Sequence, residues 1–331
     1  MILLLVAAGV ALILAAPLPQ PANPVHAGDF PDPFIVRAAD GYHAYASNGE
    51  GNIQQLRSRD LARWERMPDA MPQLPAWAAP GRTWAPSLLE RGGKWVLYFS
   101  AQHAASARQC IGAAFAEEPS GPFVGDAAPL ACADDTDLGA IDPSPFVAAD
   151  GTPYLLWSAC CNGARILSQR LSADGLSAVE VPRALIRADQ PWEAGIVEAP
   201  SMLKEGGRLV LLYSANHWQG RQYAIGLAEC EGPSGPCRKP ADAPWIQSAG
   251  DMAGPGGQEF FRDGWGRAWL AYHAWSAERA SYSAGGLRSL RVERVEIRDG
   301  SPGPGGRTAS VARKRPDSAG ALPADPGRTP R

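Results

Sequence analysis

The chain has few histidines, and none of the five (positions 26, 43, 103, 217 and 273) stands in a ligand-pair spacing such as HExxH. Its six cysteines contain no CxxC, so a metal centre as the organising feature has no support. An excess of one charge is also lacking. Against 34 Asp and Glu stand 31 Lys and Arg, with no basic stripe, which argues against nucleic acid as a partner. Long unbroken stretches are scarce: 36 Gly and 31 Pro leave little room for long helices and suit many short strands joined by turns. The apolar run ILLLVAAGVALILAA (2–16) falls short of the ~18–20 residues of a spanning helix and reads as a secretory signal core. No Lys/Arg region precedes it, so an uncleaved N-terminal anchor is the alternative for residues 1–20. Export, with no stable membrane integration after signal cleavage, is the expectation.

In an exported chain six cysteines suit disulfides. Cys230 and Cys237 bracket the turn-rich ECEGPSGPC, short enough for one bond to close, and Cys110–Cys132 is a second candidate. Cys160 and Cys161 are adjacent; a bond between neighbours is strained, so they are expected to pair elsewhere or stay reduced. The eleven tryptophans suit a sugar-binding cleft and a large core equally well.

What the chain does have is an internal repeat. Five segments share a polar or small residue with Pro, an apolar stretch, a Gly-containing turn and an aromatic-rich strand. They read DPFIVRAADGYHAYAS (32–47), APSLLERGGKWVLYFSA (85–101), DPSPFVAADGTPYLLWSA (142–159), APSMLKEGGRLVLLYSA (199–215) and QEFFRDGWGRAWLAYHA (258–274). Successive copies begin about 53–59 residues apart, a blade-sized period for a β-propeller. Pro86 and Pro200 lie 114 residues apart, and so do Gly112 and Gly226. The ADG, RGG and EGG turns are connections that antiparallel hairpins use. The fold class is therefore all-β: one five-bladed β-propeller over 25–298, with the segment from Ser281 to Ile297 completing the last blade. First strands are expected to begin just after the shared prolines. Residues 299–331, poor in large apolar side chains, are expected to be a disordered Pro/Gly/Arg-rich tail.

A repeat exposes its own exceptions. Before the shared proline the blades carry Asp32, Ala85, Asp142 and Ala199, and one place earlier Pro31, Trp84, Ile141 and Glu198. The blade fold tolerates Ala and Trp there, so the acids answer to something else. Three carboxylates, Asp32, Asp142 and Glu198, are predicted to converge on one channel, a constellation suited to glycoside hydrolysis. Crowding and burial would keep one of them protonated near neutral pH. Glu198 is offset by one residue from the two Asp, which in a regular strand puts them on opposite faces. Convergence thus demands irregular backbone before the strand, which the following Pro favours.

These motifs resemble glycoside hydrolase family 43. The matching stretches are GDFPDPFIV (28–36), TWAPSLL (83–89), AIDPSPFVAADGTPYLLW (140–157), VEAPSMLK (197–204) and GPGGQEFFRDGWG (254–266). The resemblance implies an inverting enzyme. Asp32 would be the general base, Asp142 would orient and tune the acid, and Glu198 would be the general acid, with carboxyls about 6.5–9.5 Å apart in such enzymes. Trp84 would line the sugar pocket or pack the channel. Arg288 resembles a last-strand arginine that reaches substrate, although Arg291 and Arg294 nearby leave a surface role open. Family members often place a histidine near a channel water or cation where this chain has Gly257. Gln258 or Glu259 stands in, with Gln258 taken as a substrate contact, or the ion is absent. No metal ligand is assigned; a cation such as calcium is doubtful, and the acid–base chemistry requires no cofactor. His217, in SANHWQG, reads as an ordinary loop residue. The expected substrate is an oligosaccharide or polysaccharide of plant cell-wall pentoses, with α-L-arabinofuranosyl or β-D-xylosyl linkages, acted on by a secreted monomer. The alternatives are a non-catalytic carbohydrate-binding propeller and a retaining enzyme acting on fructans, whose carboxyls would be about 5–5.5 Å apart.

Overall fold

Each copy of the repeat forms the first two strands of a four-stranded antiparallel meander in the computed structural model, which describes residues 19–298 and 301–304 apart from 134, 162 and 163. Blade one holds β1 (Phe34–Ala38), β2 (Gly41–Ala46), β3 (Gln54–Ser58) and β4 (Glu65–Arg66). Blade two holds β5 (Ala78–Arg91), β6 (Lys94–His103), β7 (Gln109–Ala116) and β8 (Val124–Gly125), with β9 (Ala131–Cys132) also on β7. Blade three holds β10 (Gly139–Val147), β11 (Pro153–Cys160), β12 (Arg165–Arg170) and β13 (Arg183–Arg187). Blade four holds β14 (Val197–Glu205), β15 (Arg208–Ala215), β16 (Ala224–Cys230) and β17 (Cys237–Arg238). Blade five holds β18 (Met252–Arg262), β19 (Ala268–Ser276), β20 (Ser289–Arg298) and β21 (Ser301–Pro304). Blades two and three touch edge to edge through one parallel pair, Gly139 with Gln109.

The hairpins follow from their turns. Arg91 pairs with Lys94 and Glu205 with Arg208, leaving two-glycine loops in which both residues have positive φ. That backbone twists with the strands it joins, and glycine adopts it without steric cost. Five apolar cores then fill the spaces between blades. Tyr45 and Phe99 pack between blades one and two, Tyr98 and Trp157 between two and three. Leu156 and Tyr213 pack between three and four, Ile225 and Tyr272 between four and five, and Ile35 with Trp269 between five and one. The first strands β1, β5, β10, β14 and β18 contact one another in succession, and β18 returns to β1, closing a ring around a channel.

Only β1 begins just after its proline. The strands β5, β10 and β14 start earlier and run through Pro86, Pro143 and Pro200. They can do so because at the proline each strand pairs through one side only, so the missing N–H removes no ladder bond. The fifth blade also runs past Arg298, since β21 pairs with β20 where the tail had been expected to begin. The rest of that tail and residues 1–18 of the apolar segment lie outside the described residues. Among the described residues no helix is long and apolar enough to cross a membrane.

Cys110–Cys132 and Cys230–Cys237 are bonded as expected. Cys160 and Cys161, expected to pair elsewhere or stay reduced, are bonded to each other. The peptide between them is cis and their Cα atoms lie 3.0 Å apart.

The N-terminal segment clasps the last blade. His26 bridges Leu290 of β20, and the Asn23 side chain both accepts from the Val292 N–H (2.9 Å) and donates to its carbonyl (3.1 Å). Asn23→Ala should cost about 1–2 kcal/mol for the two bonds. That is a fall of roughly 2–4 °C in Tm for a domain of this size, read by calorimetry; an unchanged Tm would show the clasp to be dispensable.

Candidate active site

The offset between Glu198 and the aspartates is resolved by a local break in each inner strand. Asp32, Ala85, Asp142, Ala199 and Gly257 all lie in the left-handed region, with φ of 53°, 45°, 56°, 48° and 59°. In blades two to five the strand register shifts across this residue: between Trp84 and Ser87, Ile141 and Ser144, Glu198 and Ser201, and Gly256 and Glu259. Such a bulge re-aims the side chains on either side of it, so consecutive residues need not alternate between faces. A left-handed conformation costs a non-glycine residue roughly 1–2 kcal/mol, which the surroundings must supply.

They supply it through hydrogen bonds between blades. The N–H of each left-handed residue donates to a side chain of the preceding blade: Ala85 to Ser47 Oγ (3.0 Å), Asp142 to Ser100 Oγ (3.0 Å), Gly257 to Ser214 Oγ (2.9 Å) and Asp32 to His273 Nδ1 (3.0 Å). Blade four differs, because the Ala199 N–H donates to Asp142 Oδ2 (2.9 Å). The Asp142 carboxyl is thereby tied to the residue that follows Glu198.

Burial raises the pKa of all three acids; what surrounds each decides the outcome. For Asp32, burial is outweighed by the Arg288 guanidinium at 3.4 Å, by His273 and by the Ser47 hydroxyl, which together hold the carboxyl below its usual range. Asp142 is pushed well up by burial and by the charges of Glu198 and Asp32. Glu198 is pushed up to about 7, chiefly by burial, although the Tyr223 hydroxyl donates to its Oε1 at 2.7 Å. The site therefore combines an ionised carboxylate with a carboxyl that keeps its proton near neutrality.

Of the other expected residues, Arg288 lies just before β20, with its guanidinium 3.4 Å from Asp32. Its guanidinium lies over Trp218 (4.6 Å to the ring centroid) and its Nε donates to the Tyr282 hydroxyl. Trp84 is half-buried at the place in blade two that Glu198 holds in blade four. Gln258 is corrected from substrate contact to brace. Its Oε1 accepts from Ser214 and its Nε2 donates to the Ala199 carbonyl, so both polar ends are engaged within the protein. His273, Tyr223 and, as a fourth acid, Glu259 were missed. Glu259 lines the channel with Asp32 and Asp142 and accepts from Ser144 Oγ at 3.0 Å. A signal existed for His273: aligned on the residue that pairs just before each left-handed position, the second strands end YAS, YFS, LWS, LYS and AYH, a serine column broken once.

The family model for glycosyl hydrolases family 43 matches residues 21–302. The chain belongs to this family. It is 27% identical over 241 residues to a xylan 1,3-beta-xylosidase from Vibrio sp, covering 68% of this chain and 43% of that protein. The chain thus spans less than half the length of that relative. A thermostable family-43 glycoside hydrolase superposes with a TM-score of 0.77 at 26% identity, covering 88% of this chain and 97% of that one. An endo-1,4-beta-xylanase from Bacteroides thetaiotaomicron VPI-5482 gives 0.72 at 28% identity, covering 86% and 96%.

The family 43 resemblance raised a channel cation, and the residues present do not suit one. Position 257 has no side chain, and a Cβ there would lie 2.6 Å from His273 Nδ1 and 2.9 Å from Asp32 Oδ1. His273 Nδ1 is already an acceptor, and Gln258 is engaged at both ends. Glu259 is pushed up to about 8, mainly by burial, and so is neutral at pH 7. Among the described residues the three-donor group is Cys160, Cys161 and Glu198, whose sulfurs are bonded to each other. No step is assigned to a metal.

Glu259 makes a pH prediction. Its folded pKa, about 8, lies above the 4.5 of the free side chain. The stability it contributes is fully present below the unfolded value and is lost as pH rises through about 8. Thermal unfolding at pH 5 and pH 9 should show a drop in Tm that Glu259→Gln makes smaller but does not abolish, since Asp142 and Glu198 act in the same direction. An equal drop in both proteins would refute the assignment.

Proposed function

We propose that the protein is an inverting glycoside hydrolase of plant cell-wall pentose polysaccharides, acting on α-L-arabinofuranosyl or β-D-xylosyl linkages. The observation that carries the reading is the opposed tuning of two carboxyls on one channel: Asp32 held ionised beside Arg288, Glu198 held protonated by burial. In this mechanism Asp32 accepts a proton from the attacking water as it bonds to the anomeric carbon. Glu198 donates its proton to the departing oxygen, and the configuration at that carbon inverts. Asp142 holds the backbone next to Glu198 through the Ala199 N–H, and burial together with the Asp32 charge keeps the proton on the acid. Arg288, fixed by stacking and by the Tyr282 hydroxyl, keeps the base ionised and faces the same space as a sugar hydroxyl donor.

Family membership and the named activities of relatives, which include an extracellular endo-alpha-(1->5)-L-arabinanase 1 from Bacillus subtilis (strain 168) 22% identical over 248 residues, support a pentose polymer as substrate. The three disulfides suit action outside the cell.

Glu198→Gln should lower turnover of unactivated arabinofuranosides or xylosides by at least about 10³-fold while substrate binding is largely kept. Asp32→Asn should do the same. The pH profile of kcat/KM should fall on the alkaline side as Glu198 loses its proton, near pH 7, and on the acid side below the usual Asp range. NMR of the first-formed product should show the inverted anomer. Retained configuration, or wild-type turnover in Glu198→Gln, would be incompatible with this mechanism.

A further inference from the structure

The place on each second strand that faces the next blade's left-handed residue is occupied by Ser47, Ser100, Ser158, Ser214 and His273. Three of the serines, Ser47, Ser100 and Ser214, capture that residue's N–H, and in blade four the Asp142 carboxyl captures it and leaves the Ser158 hydroxyl unused, so serine satisfies the scaffold. The fifth blade spends a buried imidazole on the same task. Holding the backbone does not require that larger ring.

The ring has two neighbours, and a serine would reach only the first. On one side its Nδ1 accepts the Asp32 N–H at 3.0 Å and lies 3.5 Å from Asp32 Oδ1. On the other it stacks on Tyr223, with centroids 6.0 Å apart and planes within 12°, and the Tyr223 hydroxyl donates to Glu198 at 2.7 Å. The imidazole therefore stands between the two carboxyls of opposed tuning. The backbone has been cleared for it. A Cβ at Gly257 would meet His273 Nδ1 at 2.6 Å, and one at Gly256 would meet Tyr223 Cε1 at 2.0 Å. Alanine occupies the equivalent left-handed position in blades two and four, with φ of 45° and 48°. Glycine at 257 is thus not demanded by the backbone conformation alone; it is demanded by the ring.

We propose that His273 is a positioning residue for both carboxyls: its Nδ1 fixes the turn that aims Asp32, and its ring holds the Tyr223 hydroxyl on Glu198. The inference rests on the glycosidase reading above. The charged and titratable groups around the ring are Asp32 and Arg288, with Tyr223 on its face and Glu198 and Asp142 beyond Tyr223. Burial drives the imidazole down to about 3, so it is neutral through the working range. With Nδ1 accepting, its proton sits on Nε2.

His273→Ser keeps the acceptor that the other blades use and removes the ring. It should lower kcat about 10–100-fold, the scale of a small misplacement of reacting groups, with KM changed less than about 3-fold. The Tyr223 hydrogen bond lowers the pKa of Glu198, so loosening it should move the alkaline limb of kcat to higher pH. A residue that only filled space would leave that limb in place. Wild-type kcat with an unshifted limb in His273→Ser overturns the proposal. A second measurement does not depend on the variant folding or on turnover: ¹⁵N spectra of wild-type His273 should show the Nε2–H tautomer, untitrated from pH 5 to 9. An Nδ1–H tautomer, or a midpoint inside that range, also overturns it. Turnover lost in Glu198→Gln but kept in His273→Ser removes this inference alone, whereas turnover kept in Glu198→Gln removes the glycosidase reading and the role of His273 with it.

Discussion

A single backbone device, the left-handed residue set in a register break, governs the whole inner wall. It occurs five times, and its N–H is held in every case by a side chain from another blade. The strain of one blade is thus relieved only when its neighbour is in place, which couples the geometry of the site to closure of the ring. Asp32 shows the dependence most directly. It belongs to blade one, yet His273 and Arg288, which fix it, come from the last blade and the loop leading to its third strand. The N-terminal clasp on Leu290 and Val292 therefore supports the site as well as the fold.

Within that wall one cation decides which acid ionises. Burial alone would raise every carboxyl in the channel, as it does for Asp142, Glu198 and Glu259. Arg288 lies against Asp32, while Glu198 has a phenol as its hydrogen-bond partner. A full charge close by outweighs burial, and a neutral donor does not. The guanidinium can hold that place because its flat face lies over Trp218 and its Nε is spent on Tyr282, a combination that a lysine ammonium cannot reproduce.

The blades and the three acids were legible because they are written in local chemistry: glycine turns, prolines at one repeat position, and acids where sister blades carry alanine or tryptophan. The direction of the acid side chains was not, since it depends on a register break that no single strand announces. His273 sat in plain view as the break in a serine column, but its meaning needs a hydrogen bond to a residue 241 positions away. Gln258 has the right chemistry for a sugar contact, and only the partners at both ends of its amide turn it into a brace. Glu259 was considered as a cation ligand; a buried setting makes it a neutral acid instead, outweighing the two serine hydroxyls from different blades that pull the other way. The Cys160–Cys161 bond joins chain neighbours, a pairing that spacing alone argues against.

The one-residue offset between Asp32 and Glu198 also sorts their roles. Asp32 is the left-handed residue itself and is only partly buried, exposed enough to meet a water molecule. Glu198 precedes the left-handed residue, is still paired in register with Ser214, and is 8% exposed. The better-buried carboxyl is the one whose proton is harder to remove, and the better-exposed one lies beside the arginine. Exchanging the two positions would place the acid where solvent and a cation strip its proton, and the base where burial keeps it protonated. The offset that looked like an obstacle to convergence is therefore what lets two carboxyls on a nearly symmetric ring differ in ionisation.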